Sequence, residues 1–186
     1  MAVTLTKRRF TVEAYHRMVE AGILAEDDRV ELIRGEVVEM TPIGRSHAAR
    51  VDRLTRLFTS RLGERAIVRV QGPLPLGPDS EPQPDLTLLR PCSDFYLETP
   101  LRPSDVFLVV EVADSSLATD RTVKMPLYAE AGIREAWLVD LVAGRLEVHR
   151  DPTPHGYRDV RTLHPGEPVD LEAFPDLALT VDDVLG

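Results

Sequence analysis

Two carboxylates stand where apolar runs begin or end. Asp85 follows Pro84 at the head of the short run Asp85–Leu89, and Glu111 stands near the close of the most apolar run, Val106–Val112. If both runs are strands and pair antiparallel, the start of one lies beside the end of the other. The two carboxylates then share one sheet edge, joined by a proline-bearing loop over 91–105. Alternation places Glu111 on a face with Phe107 and Val109. A carboxylate that extends an apolar face is costly to bury alone, and a second one beside it adds repulsion. A divalent cation resolves the conflict, with two carboxylates as hard ligands and water and phosphate in the remaining positions. The simpler alternative is a strand-end glutamate that reaches solvent or pairs with an arginine.

Lysine usage singles out a third group. Of 22 Lys and Arg residues only Lys7 and Lys124 are lysine. On a helix over about 119–131, Lys124 falls inside the apolar arc with Leu127, Tyr128 and Ala131. An ammonium there points toward the sheet. It can neutralise carboxylates, or orient a water that attacks a phosphate. The plainer alternatives are a snorkelling stem and an i,i+4 pair with Asp120. Glu31, in Val-Glu-Leu-Ile-Arg-Gly-Glu, is either a further ligand or a solvent-facing strand residue. His47 lies on an apolar helical face and reads as a satisfied core histidine. Arg50, Arg53 and Arg56 lie largely away from that face, either to contact a phosphate backbone or simply to be solvated. Cys92 has no histidine at a recognisable spacing, which leaves nucleophilic catalysis unsupported. No Walker loop, dinucleotide glycine motif or Gly-x-Ser-x-Gly elbow is present.

These groups need elements to hold them. Thr11 caps a first helix that Gly22 closes. Two short strands flank Arg34-Gly35 as a hairpin. A second helix runs from Ser46 to about Leu62, with His47, Val51, Leu54, Phe58 and Leu62 as its apolar stripe. Strands are expected at 66–71, 85–89, 106–112, 136–140, 144–149 and near 157–163, with a short terminal helix after Thr180. The class is α/β or α+β, a mixed sheet with helices before and after its central strands.

The 186 residues carry 43% hydrophobic and 28% charged side chains, the proportions of one globular domain. No run approaches the roughly 20 apolar residues of a membrane helix. No secretory signal is legible, and a cytoplasmic protein without a membrane partner is expected. The net charge of −9 is unfavourable for nonspecific nucleic-acid binding. It is uneven, however: residues 1–72 hold 13 basic and 10 acidic side chains, and residues 165–186 hold six acids and no Lys or Arg. Any DNA-facing surface therefore belongs to the first 72 residues, above all the second helix.

The ordered segments Phe10–Tyr15, Val30–Glu36, Ser46-His47, Gln83–Leu86, Val109–Ala113, Lys124–Tyr128 and Gly132–Asp140 resemble the Uma-type family of restriction-endonuclease-like proteins, within the PD-(D/E)XK nuclease superfamily. The resemblance implies a single restriction-endonuclease-like domain over 1–186, with a central mixed sheet flanked by helices. Its parts are an N-terminal helix and hairpin (about 1–44), a nuclease core (about 45–150), and a C-terminal strand with an acidic tail (about 151–186). It implies Mg²⁺- or Mn²⁺-dependent hydrolysis of DNA phosphodiesters. Asp85 and Glu111 would hold the metal, Lys124 would serve catalysis, and Glu31 would be an accessory acid. A homodimer is a further implication, since restriction-type enzymes often pair to cut both strands. One departure stands out. The superfamily lysine two residues after the second acid is Ala113 here, and Lys124 matches the Uma-type lysine on the following helix. Ala113 favours a second reading, a catalytically inactive interaction module for nucleic acid or protein. A third is a purely structural role for Lys124.

Overall fold

The computed structural model describes residues 6–25 and 27–186. Thr11 opens α1 (Val12–Glu20), and its hydroxyl accepts the Ala14 amide at 3.1 Å. Strands β1 (Val30–Ile33) and β2 (Glu36–Glu39) pair across Arg34-Gly35. Both turn residues have positive φ, 49° and 77°, the two-residue geometry that follows strand twist. A Cβ on Gly35 would stand 2.6 Å from the Cβ of Arg9, so the turn requires glycine. Next comes α2 (Arg45–Leu62), capped by Gly44, with Val51, Leu54, Phe58 and Leu62 buried.

A six-stranded sheet follows in the order β3-β4-β5-β6-β7-β8. Its strands are β3 (Ile67–Val70), β4 (Leu86–Leu89), β5 (Val106–Ala113), β6 (Glu135–Asp140), β7 (Arg145–Thr153) and β8 (Gly156–Leu163). Among the described residues, only β5 and β6 pair in parallel. Their crossover is a composite helix: α3 (Leu117–Thr119), a π-helical stretch over Asp120–Lys124, and α4 (Met125–Glu130). Pro126 gives a local reason for the wide turn. It has no N–H to donate to residue 122, and its ring crowds that carbonyl.

Each sheet face has its own core. Leu86, Leu88, Leu108, Val110, Val112 and Trp137 pack with the α2 stripe. Leu89, Val109, Ala113, Ala136 and Leu138 pack with Met125 and Tyr128 of the crossover helix. Phe107 departs from the expected alternation. The β4–β5 register slips, Leu88 pairing with Leu108 and Leu89 with Val106, so an extra residue is inserted at Phe107. The bulge moves Phe107 to the α2 side, against Phe174, while Val109 and Glu111 keep the other face.

The acidic C-terminal stretch also departs from expectation. It forms the hairpin β9 (Pro168–Leu171) and β10 (Phe174–Thr180), followed by α5 (Val181–Leu185). Val169, Leu171, Phe174, Leu179, Val181 and Val184 are buried in the α2-side core. Their sparse apolar positions alternate with prolines and acids, which hides the strands from a search for apolar runs.

Candidate active site

Leu86 pairs with Val110 across the antiparallel β4–β5 ladder, which sets Asp85 beside Glu111. Asp85 is held from two sides. Its Oδ2 accepts the Val112 amide at 2.8 Å, and its Oδ1 accepts Gln71 Nε2 at 3.3 Å. Glu31 arrives on the N-terminal hairpin, which the 79–83 segment ties to the body of the protein. The Leu32 and Glu81 backbones exchange hydrogen bonds, and the Gln83 amide donates to Glu31 Oε2 at 3.0 Å. Lys124 comes from the π-helical stretch. Its ammonium bridges Glu31 Oε2 at 3.1 Å and Glu111 Oε1 at 3.3 Å. Tyr128, one turn on, donates its hydroxyl to the same Glu111 oxygen at 2.5 Å. All four site residues are at least nine-tenths buried, and all line one cavity of about 220 Å³.

Two groups to which the spacing arguments gave no role in the site line the same cavity. His47 is not a satisfied core histidine: its Nε2 lies 2.9 Å from Asp85 Oδ2 and its buried Nδ1 has no partner. Asp120 accepts the Ser116 hydroxyl at 2.6 Å and is buried beside Lys124. Its place four residues before Lys124 was a signal, but one equally expected of a surface pair. Arg121, between them, faces away and meets Glu147 through two bonds (2.6 and 3.2 Å). The wide turn is thus anchored on β7 while Asp120 and Lys124 face the cavity.

Charge in the cavity is unbalanced. Glu31, Glu39, Asp85, Glu111, Asp114 and Asp120 line it, against Lys124, the exposed Arg29 and His47. Burial raises the Glu111 carboxyl well above its ordinary range; Lys124 opposes the rise, and Asp85 and Asp120 add to it. Asp120 is raised for the same reason, burial first. Burial alone would lower Lys124, but the carboxylates of Glu111, Glu31 and Asp120 outweigh it and raise that group. The contact with Asp85 raises His47 against its own burial.

Such a donor set suits a hard divalent cation in kind, with carboxylate oxygens in excess of protein cations around one cavity. Asp85 and Glu111 are the residues that could hold one. Among the described residues, no three His, Cys, Asp or Glu side chains are already gathered tightly enough to hold an ion. The ammonium of Lys124 takes up the space between Glu31 and Glu111 instead.

The α2 arginines lie apart from this cavity. Arg53 donates to the Asp182 and Asp183 carbonyls at 3.2 and 3.1 Å, at the C-terminal helix. Arg50 lies against Gly186, and Arg56 lines a separate groove with Arg53 and Asp183. Among the described residues, no helix is long and apolar enough to cross a membrane.

Comparison with known proteins adds two findings. Residues 12–182 match the Uma2 family, described as "Putative restriction endonuclease". The fold is similar to the crystal structure of a protein from Anabaena variabilis ATCC 29413, titled a "putative nuclease belonging to DUF820". The TM-score is 0.73 at 16% identity, over 95% of this chain and 97% of that one. No curated protein matches the chain.

Proposed function

Since the chain belongs to the Uma2 family, we propose that it is a metal-dependent endonuclease that hydrolyses phosphodiester bonds in DNA. The observation that carries this reading is the convergence of Glu31, Asp85, Glu111 and Lys124, from separate elements, on one cavity. Asp85 and Glu111 hold Mg²⁺ or Mn²⁺. Such an ion, when bound, polarises a phosphate oxygen and lowers the pKa of a bound water. Lys124 has three N–H donors, two of them directed at Glu31 and Glu111. The third orients the attacking water and offsets developing negative charge. Glu31 keeps the ammonium in place, and Tyr128 keeps Glu111 in place. Arg29, exposed at the cavity, meets the phosphate. Arg50, Arg53 and Arg56 enter only as contacts for backbone that flanks the cleaved bond.

Incubating the purified protein with plasmid and linear DNA in Mn²⁺ tests this. Wild type is expected to nick or cut, and Asp85→Asn to lose cleavage. Indistinguishable wild type and variant across substrates would reject the assignment. One observation favours a second reading, an inactive interaction module. Ala113 is fully buried at the position of the superfamily lysine. That reading predicts DNA or protein binding with no cleavage and no need for metal.

A further inference from the structure

We propose that His47 is a direct ligand of the divalent cation, beside Asp85, so that the site combines nitrogen and oxygen donors. The inference rests on the metal-dependent reading above. His47 lies in the first turn of α2 and lines the same cavity as Asp85, Glu111 and Lys124. Its Nε2 is 2.9 Å from Asp85 Oδ2. Two neighbouring ligands on an octahedral ion with bonds of about 2.1 Å stand about 3.0 Å apart. The two atoms therefore already keep the separation that a shared ion requires.

Both partners are restrained. The Val112 amide and Gln71 hold the Asp85 carboxylate, and the two side chains are only 11% and 15% exposed for Asp85 and His47. The ring's one partner among the described residues is Asp85 itself, through Nε2, the contact that an ion would replace. A histidine that serves the core is hydrogen-bonded through its buried nitrogens, whereas Nδ1 of His47 is buried and unpartnered. Coordination replaces the proton on Nε2. A doubly protonated ring releases that proton to solvent, and a neutral ring moves it to Nδ1. An imidazole ligand favours Mn²⁺ over Mg²⁺, which prefers oxygen alone.

Pulsed electron paramagnetic resonance of the protein loaded with Mn²⁺ alone reads the ligand directly, without activity. The expected spectrum shows ¹⁴N modulation from a bound imidazole, absent in His47→Ala. Calorimetry is expected to show Mn²⁺ binding weakened about tenfold or more in that variant, with Mg²⁺ binding changed much less. The wild-type spectrum decides even if the variant folds poorly. Mn²⁺ that binds through Asp85 and Glu111 without ¹⁴N modulation overturns the role of His47 and leaves the nuclease reading intact. Equal weakening of Mn²⁺ and Mg²⁺ overturns it too, because His47 would then act only by placing Asp85. No Mn²⁺ binding by wild type overturns both.

Discussion

Replacing Lys124 with methionine removes the only ammonium that lines the cavity among the described residues and keeps the volume of the stem. Lys124 is 6% exposed and faces two carboxylates, Glu31 and Glu111, that are 4% and 2% exposed. Removing one partner of a buried ion pair costs about 3–5 kcal/mol, because the other charge is left uncompensated. Here the low end applies. Glu31 keeps the Gln83 amide, Glu111 keeps the Tyr128 hydroxyl, and Glu111 takes up a proton readily because its pKa is already raised by burial. A loss of about 3 kcal/mol lowers Tm by roughly 6–12 °C for a chain of this size. The pH dependence has a definite sign. With the ammonium gone, the folded state holds the Glu111 proton more tightly than the unfolded state. In the wild type that folded pKa is already raised, and removing Lys124 raises it further, so the loss is largest above the variant's folded pKa and shrinks as pH falls toward the wild-type folded pKa. Urea titrations of wild type and Lys124→Met between pH 5 and 8 measure this. Adding Glu111→Gln to the variant is expected to recover part of the loss, a non-additivity that a double-mutant cycle detects. Mn²⁺ is expected to stabilise Lys124→Met, since it restores positive charge between the carboxylates. A destabilisation below about 0.5 kcal/mol, the size of an ordinary surface substitution, would refute the buried ion triad. So would a loss independent of pH.

Three further outcomes follow from the structure. His149 is held below its ordinary pKa chiefly by burial, with Arg121 adding to the effect and Glu147 opposing it. The unfolded chain then protonates first. Stability contributed by neutral His149 is complete above its unfolded pKa and is lost as pH falls toward the folded value, and His149→Gln should flatten urea-midpoint profiles in that window. Phe58→Ala empties a fully buried site between α2 and Trp137 and should cost about 3–5 kcal/mol by urea denaturation, with the fold preserved by circular dichroism. Gly35→Ala forces a Cβ into Arg9 at positive φ, and should lower stability by about 1–3 kcal/mol. A neutral result would show that the turn relaxes.

Hydrophobic period made much of the fold legible. The α2 stripe, the Arg34-Gly35 hairpin and the runs that became β4, β5 and β6 are local patterns, and local patterns report local structure. The bulge at Phe107 was not legible, because a register slip is chosen by what packs on each face. The β9–β10 hairpin was missed for a related reason. Its apolar residues are too sparse to form a run, and they become a core only once α2 lies over them. The π-helical stretch left one trace, Pro126, which also fits an ordinary helix start.

For the candidate site, residue type and order were sufficient to single out Asp85, Glu111 and Lys124. Acids that end apolar strands, and one lysine in an arginine-preferring chain, are unusual on energetic grounds whatever the fold. Only tertiary structure decided which charges meet. Glu31 reaches Lys124 because the hairpin docks on the 79–83 segment, some 50 residues away in sequence. His47 turns from a core residue into a neighbour of Asp85 because the start of α2 opens onto the cavity. Arg50 and Arg53 are drawn to the C-terminal helix rather than to that cavity. Charge is long-ranged and carries no period. Sequence names the charged groups, but their partners are set by distances that exist only once the chain has packed.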